Sequence, residues 1–306
     1  MKNSTLKILL AIFILLSLAA TYPYWQKFLL PKKTAWPSEL QISKFTADNT
    51  QTIILKNKNT EIKLEKKGAD WKVNDFPASN QTLTNFFQAL SSLELGTLVS
   101  KNSQNHQEYG VDNENGLFLT LKTSSEEKTI IIGNFGQEVE SFYCRGKDNP
   151  YVYLLKGPLK SRAFTTLLDW RDKEITNLSA DQTAKIVVSG KNNFTLTKKD
   201  NQWEISSLNK NKKLEENEVN SLFSHLSPLE ANDFLNDKEK QEFTKLSSSK
   251  QAIKITFLDK EEKTLAQLSL VEKEGDFWVK ESNKAEIFKV YSYKLSPLLN
   301  LQEKIK

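Results

Sequence analysis

At 306 residues, 38% hydrophobic and 26% charged, the chain has room for one large domain or two ordinary ones and is too apolar for disorder. Its net charge of +5 rests on lysine, since Arg145, Arg162 and Arg171 are the only arginines. The lysines alternate with acids in stretches such as KKDNQWE and DKEKQEF, a solvated surface that argues against a nucleic-acid reader. A lone cysteine, Cys144, rules out an intramolecular disulfide, and its alternating neighbours SFYCRGK make it a small buried hydrophobe.

The chain opens MKNSTLKILLAIFILLSLAATYPYWQKFLLPKK. Lys2 and Lys7 precede an apolar run from Ile8 that continues to Trp25. As a helix that run rises about 27 Å, close to a hydrocarbon core of about 30 Å. Tyr22, Tyr24 and Trp25 stand where interfacial aromatics belong, so residues 1–26 read as a transmembrane or signal anchor. A cleaved signal peptide using Ser17-Leu18-Ala19 is the alternative. Positive charge on both flanks nearly balances, but a signal-like helix ahead of a large body favours an extracytoplasmic body, periplasmic or at the cell surface. Residues 27–39, bracketed by Pro31 and Pro37, read as a stalk.

Beyond it the sequence repeats. LEKKGADWKV and LTKKDNQWEI share one grammar, with Leu64, Trp71 and Val73 matched by Leu196, Trp203 and Ile205 at constant offset. LTNFFQALSSLE matches VNSLFSHLSPLE, EEKT at 126–129 recurs at 261–264, and SFYCRGKDNPYVYLLKGPL aligns with DFWVKESNKAEIFKVYSYK. The chain reads as a unit of roughly 130 residues, duplicated, with repeat 1 at 40–178 and repeat 2 at 179–306. In each copy alternating runs predict an antiparallel sheet. The apolar stripe Leu83, Phe86, Phe87, Leu90 and Leu93, repeated as Val219, Leu222, Phe223, Leu226 and Leu229, predicts a covering helix. GPLKSRAFTTLLDW predicts a closing helix for the first copy and LSPLLNL a briefer one for the second. The fold class expected is α+β: two tandem homologous repeats, each an antiparallel sheet packed with one or two helices, after the N-terminal transmembrane helix. Trp71 and Trp203 are expected to plug the seam between sheet and helix.

The order of W-x-V, an LxxFFxxLxxLE helix, HQEYGV at 106–111, TIIIG at 129–133, YVYLL at 151–155 and LLDWRDKEI at 167–175 resembles the bacterial domain of unknown function 4340 family. The likeness spans essentially everything after the stalk. The second copy departs from it, with EFTKL at 242–246 where EYGV stands first and no counterpart of Gly133. The resemblance implies tandem domains behind one membrane helix and no particular activity. Members are often encoded beside ABC transporter parts of the gliding-motility type, which implies an extracytoplasmic auxiliary subunit with other membrane proteins as partners.

Chemistry-bearing motifs are sparse. His106 and His225 lack HExxH or HxH partners, and no GxSxG, Walker or GxGxxG pattern occurs, so no metal, cofactor or catalytic residue is assigned. Two places connect elements rather than fill them and are candidate partner contacts: Tyr109 with Gly110, and Asp169, Arg171 and Asp172 in LLDWRDKEI. The expected function is a non-catalytic, membrane-anchored binding or scaffold protein. An envelope glycan-acting enzyme would instead need two facing carboxylates, one with a raised pKa. A cell-wall polymer binder would show several Tyr or Trp residues exposed in a row.

Overall fold

The computed structural model describes residues 12–17, 21, 35–207 and 210–305. Most of the expected anchor and stalk therefore lies outside the described residues. Residues 12–17 are helical, and among the described residues no helix is long and apolar enough to cross a membrane. The chain divides into two units, residues 1–170 and 171–306. Residues 171–178, which the periodicity placed with the first repeat, thus belong with the second unit.

The first unit begins with the last residues of the expected stalk, which are part of its body. Trp36 packs on the core, and Leu40 in the 3-10 turn Ser38–Leu40 is fully buried. There follow β1 (Thr52–Lys56), β2 (Glu61–Lys67), β3 (Asp70–Val73), β4 (Phe76–Pro77) and helix α1 (Asn80–Ser91). Next come β5 (Glu94–Ser100), β6 (Leu117–Lys122), β7 (Glu127–Phe135), β8 (Ser141–Gly146) and β9 (Val152–Lys156). All pair antiparallel in one nine-stranded sheet, in the order β4-β3-β2-β1-β6-β7-β8-β9-β5. Alternation sends Ile53, Leu55, Leu64, Leu119, Ile130 and Phe142 to one face, where Leu83, Phe86 and Leu90 of α1 meet them. Ser79 caps α1 by accepting from the Thr82 amide at 3.2 Å.

The unit closes on two four-residue helices, α2 (Leu159–Arg162) and α3 (Leu167–Trp170), rather than the single helix the periodicity predicts. Trp170 explains the break. Its indole is fully buried edge-on to Phe86 at 5.5 Å and donates Nε1–H to the Phe164 carbonyl at 3.0 Å, taking that carbonyl from a continuing helix.

The second unit repeats the plan. β10 (Glu174–Thr176) leads to β11 (Lys185–Gly190), β12 (Phe194–Lys199), β13 (Gln202–Ser207), β14 (Lys210–Lys213) and helix α4 (Glu216–Leu226). After β15 (Leu229–Glu230) and β16 (Asp233–Phe234) comes helix α5 (Asp237–Leu246). β17 (Ile253–Leu258), β18 (Thr264–Lys273), β19 (Asp276–Glu281), β20 (Phe288–Val290) and α6 (Ser292–Leu299) complete it. The sheet order, β14-β13-β12-β11-β17-β18-β19-β20-β16, is that of the first unit position for position, while β10 and β15 form a small separate ladder. The registers match as well: Leu64 faces Val73 and Lys66 faces Trp71, just as Leu196 faces Ile205 and Lys198 faces Trp203. Trp71 packs on Phe87 at 6.0 Å and Trp203 on Phe223 at 5.6 Å, so both indoles fill the seam between sheet and helix.

Two expectations are corrected. The EEKT recurrence is out of register, because Thr129 faces Thr120 whereas the equivalent Thr256 faces Gln267, and the second EEK lies in the hairpin turn. The closing helix of the second unit is the longer one, since α6 begins at Ser292, well before LSPLLNL, and carries Pro297 within it.

Candidate functional site

Tyr109 and Gly110 lie in a turn that covers the sheet face opposite α1. Val111, Ile131 and Val152 form a small buried cluster there, with Tyr109, Phe118 and Tyr143 packed around it. The Tyr109 and Tyr143 rings stand 4.7 Å apart, and burial, then the Glu108 carboxylate, pushes the Tyr109 phenol pKa up. Gly110 has φ +65, the left-handed region, and a Cβ there would sit 2.6 Å from Asn134 Oδ1. The Asn134 amide donates to the Tyr109 carbonyl at 2.8 Å. That approach demands glycine at 133 too, where a Cβ would lie 2.2 Å from the same carbonyl. Asp112 holds the following bend by accepting from the Glu114 and Asn115 amides at 2.8 and 3.1 Å. Burial opposes ionisation of its carboxyl, but the Asn115 side chain and these amides outweigh it and hold the pKa below the usual range.

Arg145, buried in β8, pins the turn from below. Its Nε donates to the Val111 carbonyl at 2.7 Å and its Nη1 to those of Gly146 and Lys147 at 3.1 and 2.7 Å. Burial, its largest influence, pulls its pKa down. The equivalent residue on β19 is Lys280, which donates to the carbonyls of Lys284, Ala285 at 2.9 Å and Glu286 at 3.4 Å. Both copies thus use a strand cation to collect main-chain carbonyls, a role composition alone did not disclose.

LLDWRDKEI is split by the division between units, so its three polar candidates do not form one described site. Asp169 belongs to the first unit, where its carboxylate accepts from the Thr166 hydroxyl and its carbonyl from Thr82 Oγ1 at 3.3 Å. Arg171 belongs to the second: its guanidinium lies 3.3 Å from the Phe234 ring centroid and pairs with Glu286 at 3.0 Å. Burial pulls its pKa down while Glu286 pushes it up. Asp172 Oδ1 accepts from the Glu174 amide at 3.0 Å, and its Oδ2 lies 4.0 Å from Lys284 Nζ. Each candidate therefore holds its own unit together.

Other titratable groups follow that pattern. Burial pushes the Cys144 thiol pKa well up, which keeps it a neutral hydrophobe. His106 Nε2 bonds the Pro150 carbonyl at 2.8 Å and His225 Nδ1 the Ser221 carbonyl at 2.8 Å. Among the described residues no group of His, Cys, Asp and Glu is placed to hold a metal ion. Glu65 and Glu126 are held below the usual carboxylate range chiefly by Lys63 and Lys44, and Glu239 by Lys289 and the Asn236 amide against the cost of burial.

One paired feature escaped the sequence reading. A cleft of about 920 Å³ lies beside the β2–β3 turn of the first unit, and one of about 590 Å³ at the same place in the second. At their rims Lys66 donates to the Ala47 carbonyl at 2.8 Å and Lys198 to that of Ala180 at 3.2 Å. The doubled KK in KKGAD and KKDNQ was the available signal.

A family model described as a domain of unknown function (DUF4340) matches residues 71–249, more than half of the chain. No curated protein and no solved structure matches it.

Proposed function

Since the chain belongs to the DUF4340 family, whose description assigns no chemistry, we propose from its own residues that it is a non-catalytic, membrane-anchored binding or scaffold protein. Its body is extracytoplasmic, and the family resemblance, not any residue of the chain, implies membrane proteins as partners, with subunits of an ABC transporter of the gliding-motility type the leading class. The apolar run from Ile8 to Trp25 supports the anchor.

One observation carries the binding role. The two units keep the same sheet order, while the covering elements and exposed apolar residues differ. The first unit exposes Leu98, Phe135, Val139 and Tyr151, the second Tyr291 and Tyr293. A duplicated frame with two unlike surfaces suits simultaneous contact with unlike partners, and linkage of two contacts multiplies affinity. The test is affinity purification of the tagged full-length protein from solubilised native membranes, with mass spectrometry of what accompanies it. Transporter subunits in stoichiometric amount are expected. Recovery of the protein alone in mild detergent overturns the proposal.

A further inference from the structure

The geometry points to a glycan-binding groove in the second unit, between α4 and α6, that takes an oligosaccharide of uncharged sugar rings. This inference does not depend on the transporter reading. Tyr291 and Tyr293 are 50% and 58% exposed, among the few large aromatic side chains the second unit offers to solvent. Their rings stand 6.1 Å apart and 31° from parallel, a solvent-exposed aromatic pair that can serve as a stacking platform. His225 meets Tyr293 edge-on at 6.2 Å and is itself fixed through Nδ1 to the Ser221 carbonyl at 2.8 Å, so Tyr293 is braced from one side.

Beside Tyr293 the groove encloses about 590 Å³, room for several sugar rings. Its walls present neutral hydrogen-bonding side chains, Asn217 and Ser221 from α4, Ser292 from α6 and Asn300 just beyond it. Its charged pair, Glu218 and Lys304, is joined in a salt bridge, so the groove offers no uncompensated charge to an ionic ligand. Pro297 and Leu301 supply apolar floor.

Sugar rings match this surface because each carries an apolar C–H face that stacks on an aromatic ring and an equatorial rim of hydroxyls that donate and accept. A strand-adding peptide would need a free sheet edge, and a lipid a deeper apolar pocket. The first unit lacks the platform: the residues aligned with His225, Tyr291 and Tyr293 are Ala89, Lys156 and Pro158. The paired tyrosines beside the groove are thus peculiar to the second copy.

The test is titration of the full-length protein, in a detergent without a sugar headgroup, with β-1,4-linked tetramers of N-acetylglucosamine and of glucose. Saturation-transfer NMR reports binding. Saturable binding of at least one tetramer is expected, weakened tenfold or more in the double variant Tyr291→Ala/Tyr293→Ala, retained in Tyr293→Phe, and unchanged in Tyr151→Ala. Both tyrosines are exposed, so the double variant should keep the wild-type melting temperature. Absence of saturable binding by both tetramers, or undiminished binding by the double variant, overturns the inference.

Discussion

In the first unit the carbonyl of Tyr109 lies where a side chain on Gly133 would have to go. In the second, β8 and β19 align Ile132 with Leu270, so the position of Gly133 is held by Val271. Val271 packs with Phe243 of α5 and with Trp278, Leu235 and Ile287. One sheet face is therefore covered by a turn pressed backbone-on-backbone and its copy by a helix standing off on side chains. This strand position distinguishes the two covers, because glycine at 133 admits a close backbone approach that valine at 271 forbids. A duplicated sheet can keep its core and still present different surfaces, provided the change is confined to the face away from that core.

The largest effects should fall on what the copies share. Trp71→Ala and Trp203→Ala, both at the seam against a Phe ring, should each cost about 3–5 kcal/mol. Urea unfolding of the two variants measures this, and a value near zero for either breaks the equivalence. Next comes Gly133→Val, which would set a Cβ 2.2 Å from the Tyr109 carbonyl. A loss of about 3 kcal/mol confined to the first unit is expected, whereas Val271→Gly should cost about 2 kcal/mol in the second. Thermal unfolding followed by hydrogen exchange assigns each loss to its unit. Arg145→Met and Lys280→Met, which strip the donors from main-chain carbonyls, should each cost about 1–2 kcal/mol. Equal losses sharpen the parallel, and a loss in one copy alone breaks it.

The smallest effect is the pH dependence contributed by Asp112 in the first unit. The Asp112 carboxyl has a folded pKa below its unfolded value, which is about 3.9. Its contribution is therefore present above about pH 4 and fades as pH falls through the folded value, amounting to less than about 1 kcal/mol after solvent screening. Asp112→Asn should flatten that part of the stability–pH curve, and an unchanged curve contradicts the assignment.

Much of the frame was legible because duplication prints each signal twice. The doubled tryptophans and the Phe-rich helix stripe placed β2, β3 and α1 together with β12, β13 and α4. What was not legible depends on distant partners. Nothing in ELGTLVS says that β5 crosses to the far edge beside β9, since that pairing is fixed by tertiary contact. EEKT misled because a four-residue charged match carries no core constraint, while the buried positions around it slid by a longer turn. Helix α5 carries a local signal hidden within its run of charges: Asn236 Oδ1 accepts from the Glu239 amide at 3.0 Å and the Glu239 carboxylate accepts from the Asn236 amide at 2.9 Å, a capping box spelled N-x-x-E. Of the candidate site, Tyr109 and Gly110 sit in a turn with an aromatic plug, as their residue types indicate. The compact look of LLDWRDKEI concealed a boundary between units.

The molecule is one sheet built twice under two different covers. Hydrogen-exchange mass spectrometry on the full-length protein tests this most directly. Protection in β1 and β6–β8 should match that in β11 and β17–β19, while the amides of α5 exchange more slowly than those of residues 103–111, whose turn has fewer internal hydrogen bonds. Unequal protection of the two sheets, or equal protection of the two covers, would contradict it.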